Sequence, residues 1–195
     1  MLAEREAGLQ DSSDITRLLA AASEGDYESN DALFSVVYGQ LREIARAQRR
    51  RWAGNHTLDT SALVNEAYLK LAGHQLSDFK NRGHFFATAA RAMRQVLINY
   101  AERMASAKRG GGVDHATLSG VAGLPSHSFE ELLEIDRLLQ RLESENPRHC
   151  RLFECRVFGG MTIAETADAL DLSPATIKRD WALVSAWIYR ELGAE

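Results

Sequence analysis

The sequence predicts an all-α protein built as two small helical domains joined by a flexible, glycine-rich linker. Apolar residues recur at spacings of three and four along most of the chain, as in amphipathic helices, and the alternation typical of strands is almost absent. Only three prolines occur in 195 residues, so long helices are allowed. Five of the 14 glycines fall between residues 110 and 127, which are therefore interpreted as the linker.

The first domain is predicted over residues 12–109. Its helices are expected over residues 13–23, 30–52, 60–72 and 84–107. From Arg42 to Arg109 the chain has 13 lysines and arginines against 5 aspartates and glutamates, a net charge of +8, although the whole chain carries −4. This asymmetry predicts a basic face that meets phosphate groups, and the alternative is a solvated basic face without a ligand.

The second domain is predicted over residues 128–192. Ser128 and Glu131 have the spacing of a capping box, and apolar residues follow them at helical spacing. Pro147 is expected to begin a helix that runs to Phe158. The remaining residues predict a helix-turn-helix, which gives this domain four helices.

The helix-turn-helix is the most detailed signal in the chain. A second capping box, Thr162 with Glu165, begins its first helix; Asp171 occupies the turn. Ser173 and Pro174 begin its second helix. The residues of that helix that recur at inward spacing are Ile177, Trp181, Val184 and Ile188. The residues left facing outward near its N-terminus are Thr176, Lys178 and Arg179.

The outward residues favour DNA as a ligand, because a recognition helix meets the major groove with its N-terminal end. Lysine and arginine there either read guanine edges or hold phosphates without specificity. The alternative is a structural helix hairpin, since caps and periodicity specify helices rather than ligands.

Other function classes find little support in the sequence. No nucleophile–base pairing and no metal-ligand spacing stands out, so no enzyme activity, cofactor or metal is predicted. Cys150 and Cys155 lie in one predicted helix and are interpreted as buried thiols in a reducing compartment. No stretch approaches the length of a membrane span, and residues 1–14 lack the apolar core of a signal peptide. We therefore expect a cytoplasmic protein without membrane insertion.

Three segments resemble bacterial sigma factors of the extracytoplasmic-function (ECF) type, two-domain relatives of the housekeeping sigma factor that keep its regions 2 and 4. Residues 59–69, D-T-S-A-L-V-N-E-A-Y-L, resemble the polymerase-binding segment, often D-A-E-D-L-V-Q-E-x-F-L. Residues 85–100, with two phenylalanines and Ala-Ala-Arg, resemble the promoter-melting segment. Residues 158–192 resemble region 4, and the whole resemblance covers roughly residues 12–192.

The resemblance implies that the protein binds core RNA polymerase and promoter DNA and directs transcription initiation. Region 4 would contact the promoter −35 element through Ser173, Ala175, Thr176, Lys178 and Arg179. Region 2 would capture the separated strands of the −10 element through Lys80, Asn81, Arg82, His84, Arg91, Arg94 and Asn99. The polymerase contact would involve Asp59, Leu63, Asn65, Glu66 and Lys70.

Two interpretations in region 2 stay open at this point. Phe86 is expected in the core, whereas Phe79 belongs either to the core or to a pocket for an unstacked base. His84 is interpreted as a helix cap rather than as a base contact.

The polymerase-binding segment departs from the family pattern in its charge. Where the family has carboxylates, this chain has Thr60, Ser61 and Ala62. Phosphorylation of Thr60 or Ser61 by a Ser/Thr kinase would restore about −1.5 to −2 charges at a helix N-terminus. The alternative is that these hydroxyls simply cap the helix. Asn99 also departs from the family, which usually has aspartate there.

Two further functions are left open by the sequence. A helix-turn-helix regulator that binds DNA without polymerase accounts for the second domain but leaves the basic first domain without a role. A sigma mimic would act as an interaction protein and start no transcripts. An anti-sigma factor is an additional candidate partner of a sigma factor.

Overall fold

The computed structural model describes residues 27–52, 59–72, 79, 81–109 and 128–193. Within these ranges the chain is helical and contains no strand, which confirms the predicted all-α class. The helices are α1 (Tyr27–Arg51), α2 (Thr60–Ala72), α3 (Arg82–Arg109), α4 (Phe129–Glu145), α5 (Pro147–Phe153), α6 (Ile163–Leu170) and α7 (Pro174–Leu192). A π-helical segment, Glu154–Phe158, continues α5. The helix predicted over 13–23 and the linker predicted over 110–127 lie outside the described residues.

The first three helices share one apolar centre. Helix α2 packs against both α1 and α3. Among its side chains that are fully inaccessible to solvent are Leu41 and Ala45 of α1, Ala67 of α2, and Met93 and Leu97 of α3. The paired positions on α1 and on α3 lie four residues apart, so each pair projects from one face of its helix.

The helices of the C-terminal part begin where their capping residues place them. The Ser128 side chain accepts from the backbone N–H of Glu131 at 3.1 Å, and the Glu131 carboxylate accepts from the N–H of Ser128 at 2.8 Å. At α5, the Asn146 side chain accepts from the N–H of His149, and Pro147 follows it. These bonds satisfy the N–H groups that every helix start leaves free, so the local sequence determines both starts.

The π-helical segment ends in a glycine turn. The N–H of Gly159 donates to the carbonyl of Glu154 at 3.0 Å, which is the wider hydrogen-bond step of a π-helix. Gly160 has a φ of +65°, a conformation that favours glycine. The turn therefore redirects the chain from the π-helical segment to α6.

The last carbonyl groups of the π-helical segment accept hydrogen bonds from side chains of α1. The Gln48 side-chain amide, on α1, donates to the carbonyls of Val157 at 2.8 Å and Phe158 at 3.0 Å. Arg51 also donates to Val157, at 3.1 Å. Since helix ends leave carbonyls without intrahelical partners, α1 here completes a helix of the C-terminal part.

The two predicted domains pack directly on each other. Helix α3 contacts α4, the π-helical segment and α6, and buried apolar residues from both parts form one cluster. The rings of Tyr100 and Phe129 lie 5.4 Å apart across this boundary. At Gly83 the two backbones approach closely, since a Cβ added there would lie 2.7 Å from the Cα of Ala169. The composition of the linker predicts independent motion, but in the structure α4, the π-helical segment and α6 pack on α3.

Candidate nucleic-acid and polymerase interface

The N-terminal end of α7 is built by a tight turn and a cap. Asp171 has φ 55° and ψ 49°, a left-handed conformation that aspartate tolerates better than most residues. The Ser173 side chain accepts from the N–H of Thr176 at 3.1 Å, and Pro174 occupies the first helical turn. Helix α6 begins with the expected Thr162–Glu165 capping box. The helix starts and the turn predicted for the helix-turn-helix are therefore confirmed.

The inner face of α7 holds this end against the core. Ile177, Val184 and Ile188 are buried, as their spacing predicts. Trp181 is half-buried; its ring lies 5.9 Å from that of Phe153. The outward direction of the α7 N-terminus follows from this anchoring.

An ion pair that the sequence analysis missed also anchors α7. Asp180 is only 2% exposed, and its carboxylate lies 2.8 Å from the guanidinium of Arg148 at the start of α5. Its register could have revealed this burial, because Asp180 falls between the inward positions Ile177 and Val184. Asp180 thus helps to hold α7 against α5.

The residues predicted for the −35 contact lie together at the surface. Ser173, Ala175, Lys178 and Arg179 are exposed, whereas Thr176 is half-buried. Arg179 lies 3.7 Å from Asp180. Lys178 forms no ion pair with any described residue. Two cations are therefore available beside the capped helix start.

The outer face of α2 carries most of the predicted polymerase contact. Asn65 and Lys70 are exposed, and Glu66 is half-buried and accepts from Arg103 at 3.4 Å. Leu63, however, is 2% exposed and packs in the core. Its predicted contact with polymerase is corrected, because its register places it on the inner face of α2.

The same face includes an apolar residue that was not among the predicted contacts. Leu69 is 70% exposed. It is one of three large apolar side chains that are exposed among the described residues. It lies four residues after Asn65, hence on the same side of the helix. The available signal was its place in the resembling segment at residues 59–69.

The cap of α2 is Asp59. Its carboxylate accepts from the N–H of Ser61 at 2.9 Å, and its carbonyl accepts from the N–H of Leu63 at 3.1 Å. The expectation that the hydroxyls of Thr60 or Ser61 cap this helix is therefore wrong. Ser61 is exposed and Thr60 is half-buried.

At the start of α3 the cap is also a different residue from the one expected. The Asn81 side chain accepts from the N–H of His84 at 2.8 Å, so Asn81 caps the helix and His84 lies within it. The expectation for His84 is wrong because the helix begins two residues earlier than the periodicity predicts. Lys80 lies outside the described residues.

The remaining residues predicted for the −10 contact do not form one surface. Arg82 lies 4.8 Å above the Phe86 ring. It faces a groove different from the one that His84 and Arg91 line. At about 100° per residue, Arg82 and Arg91 project from opposite sides of α3. Asn99 is exposed further along the helix. His84 and Arg91 line one groove with Asn81, and Arg91 also lines a smaller cleft with Arg94 and Asn99.

Arg94 is buried between the two parts of the chain. Its guanidinium donates to Asp136 through Nε at 2.8 Å and to Glu154 through Nη1 at 2.7 Å. It also contacts the Cys150 thiol at 3.6 Å. Arg94 is 6% exposed, so it lies inside the protein and not on the surface that its predicted −10 contact requires. The opposing carboxylates, distant in sequence, explain why helical spacing does not reveal this burial.

These contacts set the ionisation of the network. Burial by itself lowers the pKa of Arg94, but its bonds to Glu154 and Asp136 outweigh burial, so the pKa is raised. Burial also raises the pKa of Glu154, and the hydrogen bond from Arg94 offsets part of that rise. The Gln140 amide donates to the second Asp136 oxygen at 2.7 Å. The buried charges are thus paired and hydrogen-bonded.

The aromatic residues at the start of α3 belong to the core. Phe79, Phe85 and Phe86 are 7%, 3% and 6% exposed. The rings of Phe79 and Phe85 meet edge to face at 5.1 Å. Of the two interpretations of Phe79, the structure supports the core position.

Metal and membrane features are absent from the described part of the chain. It contains no group of three or more histidines, cysteines and acidic residues that could hold a metal ion. None of its helices combines the length and apolarity required to cross a bilayer. Cys150 and Cys155 are free thiols, each 1% exposed.

The family model described as ECF sigma factor matches residues 12–194 of the chain. Comparison with curated proteins and with solved structures returned no match. The matched range covers both the outer face of α2 and the N-terminal end of α7.

Proposed function

Because the chain belongs to the ECF sigma factor family, we propose that it directs core RNA polymerase to particular promoters in the bacterial cytoplasm. The observation that carries this proposal is the exposed, capped N-terminal end of α7, which presents Lys178 and Arg179. Family membership implies core polymerase and promoter DNA as partners. ECF sigma factors are transcription factors and not enzymes, so the polymerase performs the chemistry.

The N-terminal end of α7 reads the −35 element. Arg179 and Lys178 extend from the first turns of the helix, the part that enters the major groove in this motif. Ser173, Ala175 and Thr176 lie beside them and approach the DNA backbone. An arginine that donates two bonds to guanine supplies sequence information, whereas phosphate contacts supply register.

The outer face of α2 binds core polymerase. Asn65 and Lys70 contribute polar contacts, with Asp59 and Glu66 as flanking acidic groups. Leu69 adds an exposed apolar contact at the centre of this face. A leucine that is buried on association contributes about 1.5–3 kcal/mol at most. Leu69→Asp is therefore expected to weaken core binding more than Lys70→Ala does.

The exposed face of α3 contributes to capture of the −10 strand. His84 and Arg91 line one groove, with Asn81 at its end, and Asn99 is exposed further along the helix. Cationic and polar groups of this kind hold an unpaired strand through its phosphates and bases. Arg82 and Arg94 are engaged within the protein and join only if their contacts are released.

A Ser/Thr kinase regulates the polymerase contact through the start of α2. Since Asp59 supplies the cap, neither hydroxyl is needed for that role, and Ser61 is exposed. A phosphate there would add about −1.5 to −2 charges at the favourable end of the helix dipole. Thr60→Glu with Ser61→Glu should raise core-polymerase affinity over wild type, with Thr60→Ala and Ser61→Ala as the control. Equal affinity for all three proteins argues against the kinase.

Run-off transcription tests the proposed function. Purified core polymerase, the full chain and a pool of genomic upstream fragments should yield discrete transcripts that disappear when the chain is omitted. The variant with Lys178→Ala and Arg179→Ala should lose these transcripts but still bind the polymerase. If the chain footprints DNA unaided and supports no transcript, it is a polymerase-independent regulator. If it binds polymerase and supports none, it is a sigma mimic.

A further inference from the structure

Asp180 follows Arg179 directly in α7, but the two side chains have opposite surroundings. Arg179 extends into solvent and is proposed to read the −35 element, whereas Asp180 is only 2% exposed. We propose that Asp180 is a positioning residue, which orients the Arg179 guanidinium toward one base pair of that element. The role of Asp180 rests on the proposed function, since the orientation of Arg179 matters only where α7 contacts DNA.

One oxygen of the Asp180 carboxylate is held from α5. Its Oδ2 lies 2.8 Å from Nη2 of Arg148 and 3.7 Å from Nε2 of His149. Both residues belong to the first turn of α5, against which α7 packs. The attraction of Arg148 therefore turns one side of the carboxylate toward α5 and leaves the second oxygen for another partner.

The second oxygen of the carboxylate faces Arg179. Oδ1 lies 3.7 Å from Nε of Arg179, whose side chain is 72% exposed. Neighbouring residues of a helix are rotated by about 100°, so their side chains ordinarily diverge. A carboxylate at the inner nitrogen of a guanidinium leaves the terminal nitrogens to donate to a ligand. Two such donors match the O6 and N7 acceptors of guanine.

Stability does not account for a carboxylate at this buried position. The Arg148 side chain is 49% exposed, so solvent screens its attraction for Asp180. Although the contact is short, Oδ2 of Asp180 has no aligned hydrogen-bond donor among the described residues. Apolar side chains in place of a buried ion pair often leave stability unchanged or raise it. The charge of Asp180 therefore acts chiefly on the arginine beside it, and through that arginine on DNA.

The far end of α7 has an arginine–acid pair of the same design, which serves as a control. Glu191 lies 3.0 Å from the preceding Arg190 and 3.1 Å from Arg141 of α4. It thus also contacts the arginine before it and an arginine of another helix. At about 1.5 Å per residue, Glu191 lies about 16 Å along the helix from Asp180, away from the end that enters the groove. Glu191→Gln should therefore leave base reading unchanged.

The test measures the base preference at each base pair of the −35 element. Holoenzyme assembled from core polymerase and the full chain is titrated with fluorescein-labelled fragments of a promoter found by run-off transcription, each with one base pair changed. Arg179→Ala identifies the base pair that Arg179 reads, where wild type should prefer the correct base by about 5- to 150-fold. Asp180→Asn should lower that preference to about threefold or less. It should leave the other base preferences and core binding unchanged, and Glu191→Gln should match wild type throughout.

Arg148 gives a second test that leaves α7 itself unaltered. Arg148→Gln removes the positive charge that holds Asp180, so the preference at the same base pair should fall. Arg148→Lys keeps that charge and should retain most of the preference. Because the Arg148 side chain is half exposed, both variants are expected to fold, and they test the role of Asp180 even if Asp180→Asn does not fold.

Loss of preference at the Arg179 base pair alone supports the positioning role. Unchanged preferences in Asp180→Asn and Arg148→Gln overturn it, and weaker binding to every fragment alike would mean that Asp180 only stabilises α7. If Arg179→Ala alters no base preference, Arg179 reads no base, so the positioning role fails while the sigma function stands. If the wild-type chain supports no transcripts, the proposed function itself fails and the role of Asp180 with it.

Discussion

Two arginine-bearing helices, α7 and α3, carry the predicted DNA contacts, but one presents its arginine to solvent and the other buries it. At the start of α7, Arg179 and Lys178 extend into solvent beside a capped turn. In the middle of α3, Arg94 is 6% exposed and holds two carboxylates of the C-terminal part. The same residue type thus serves as an available contact in one helix and as part of the scaffold in the other. What lies opposite the side chain makes the difference.

The strongest test removes the Arg94 charge. Arg94→Leu leaves Asp136 and Glu154 buried without their partner, which should lower the free energy of unfolding by about 3–5 kcal/mol. Arg103→Leu is the control, because the Arg103–Glu66 pair is solvated at 3.4 Å, and such pairs contribute about 0–1 kcal/mol. Urea denaturation followed by tryptophan fluorescence measures both. Similar losses for the two variants would mean that the Arg94 network is not a scaffold.

The next test removes the α7 cations. Lys178→Ala and Arg179→Ala should each weaken binding of the polymerase holoenzyme to promoter DNA by about tenfold or more if they contact bases. The free energy of unfolding should change by less than about 0.5 kcal/mol, because both positions are exposed. Arg190→Ala, near the other end of α7, should bind promoter DNA as wild type does. Normal affinity in both α7 variants would mean that these cations are solvated in the complex and do not contact DNA.

A smaller effect on stability is expected from the N-terminal caps of α7 and α2. Ser173→Ala removes the side chain that accepts from Thr176 and should cost about 1 kcal/mol of stability. Ser61→Ala should cost almost nothing, since Asp59 caps α2. Thermal denaturation of the two variants measures this difference. Equal melting temperatures would contradict the assigned caps.

The smallest effect concerns the buried thiols near the Arg94 network. Burial raises the pKa of Cys150 to about 11 and that of Cys155 to about 12, above the usual value for thiols. At pH 8 only about one Cys150 thiol in a thousand is therefore ionised. Alkylation by iodoacetamide should be slow at pH 8 and faster as the pH approaches 11. Rapid alkylation of the folded wild-type chain at pH 8 would contradict this burial.

Much of the fold followed from short-range patterns. The capping boxes at Ser128 and Thr162, and the turn at Asp171, occur where the sequence predicts them. The prediction failed where two patterns compete for one position. At α3, Asn81 rather than His84 provides the cap, because a polar side chain one turn earlier already satisfies the free N–H.

The candidate sites divide along the same line. Lys178 and Arg179 were identified correctly as outward residues, because the apolar register of α7 leaves them no other side. Leu63 was assigned to a surface contact although its own register points inward. Arg94 was predicted to contact the −10 strands from the family resemblance, and helical periodicity could not correct this, because it describes one helix at a time and contains nothing about a second helix packed upon it.

The sequence by itself determined the helical class, most of the helix starts and the exposed end of α7. These features depend on hydrogen bonds and apolar spacings that span a single helical turn. Only the tertiary structure decided that Arg94 of α3 is buried. Its partners Asp136 and Glu154 lie 42 and 60 residues away in the chain, and no local pattern connects groups at that separation. Their meeting depends on how the two helical parts pack, which is a property of the whole chain.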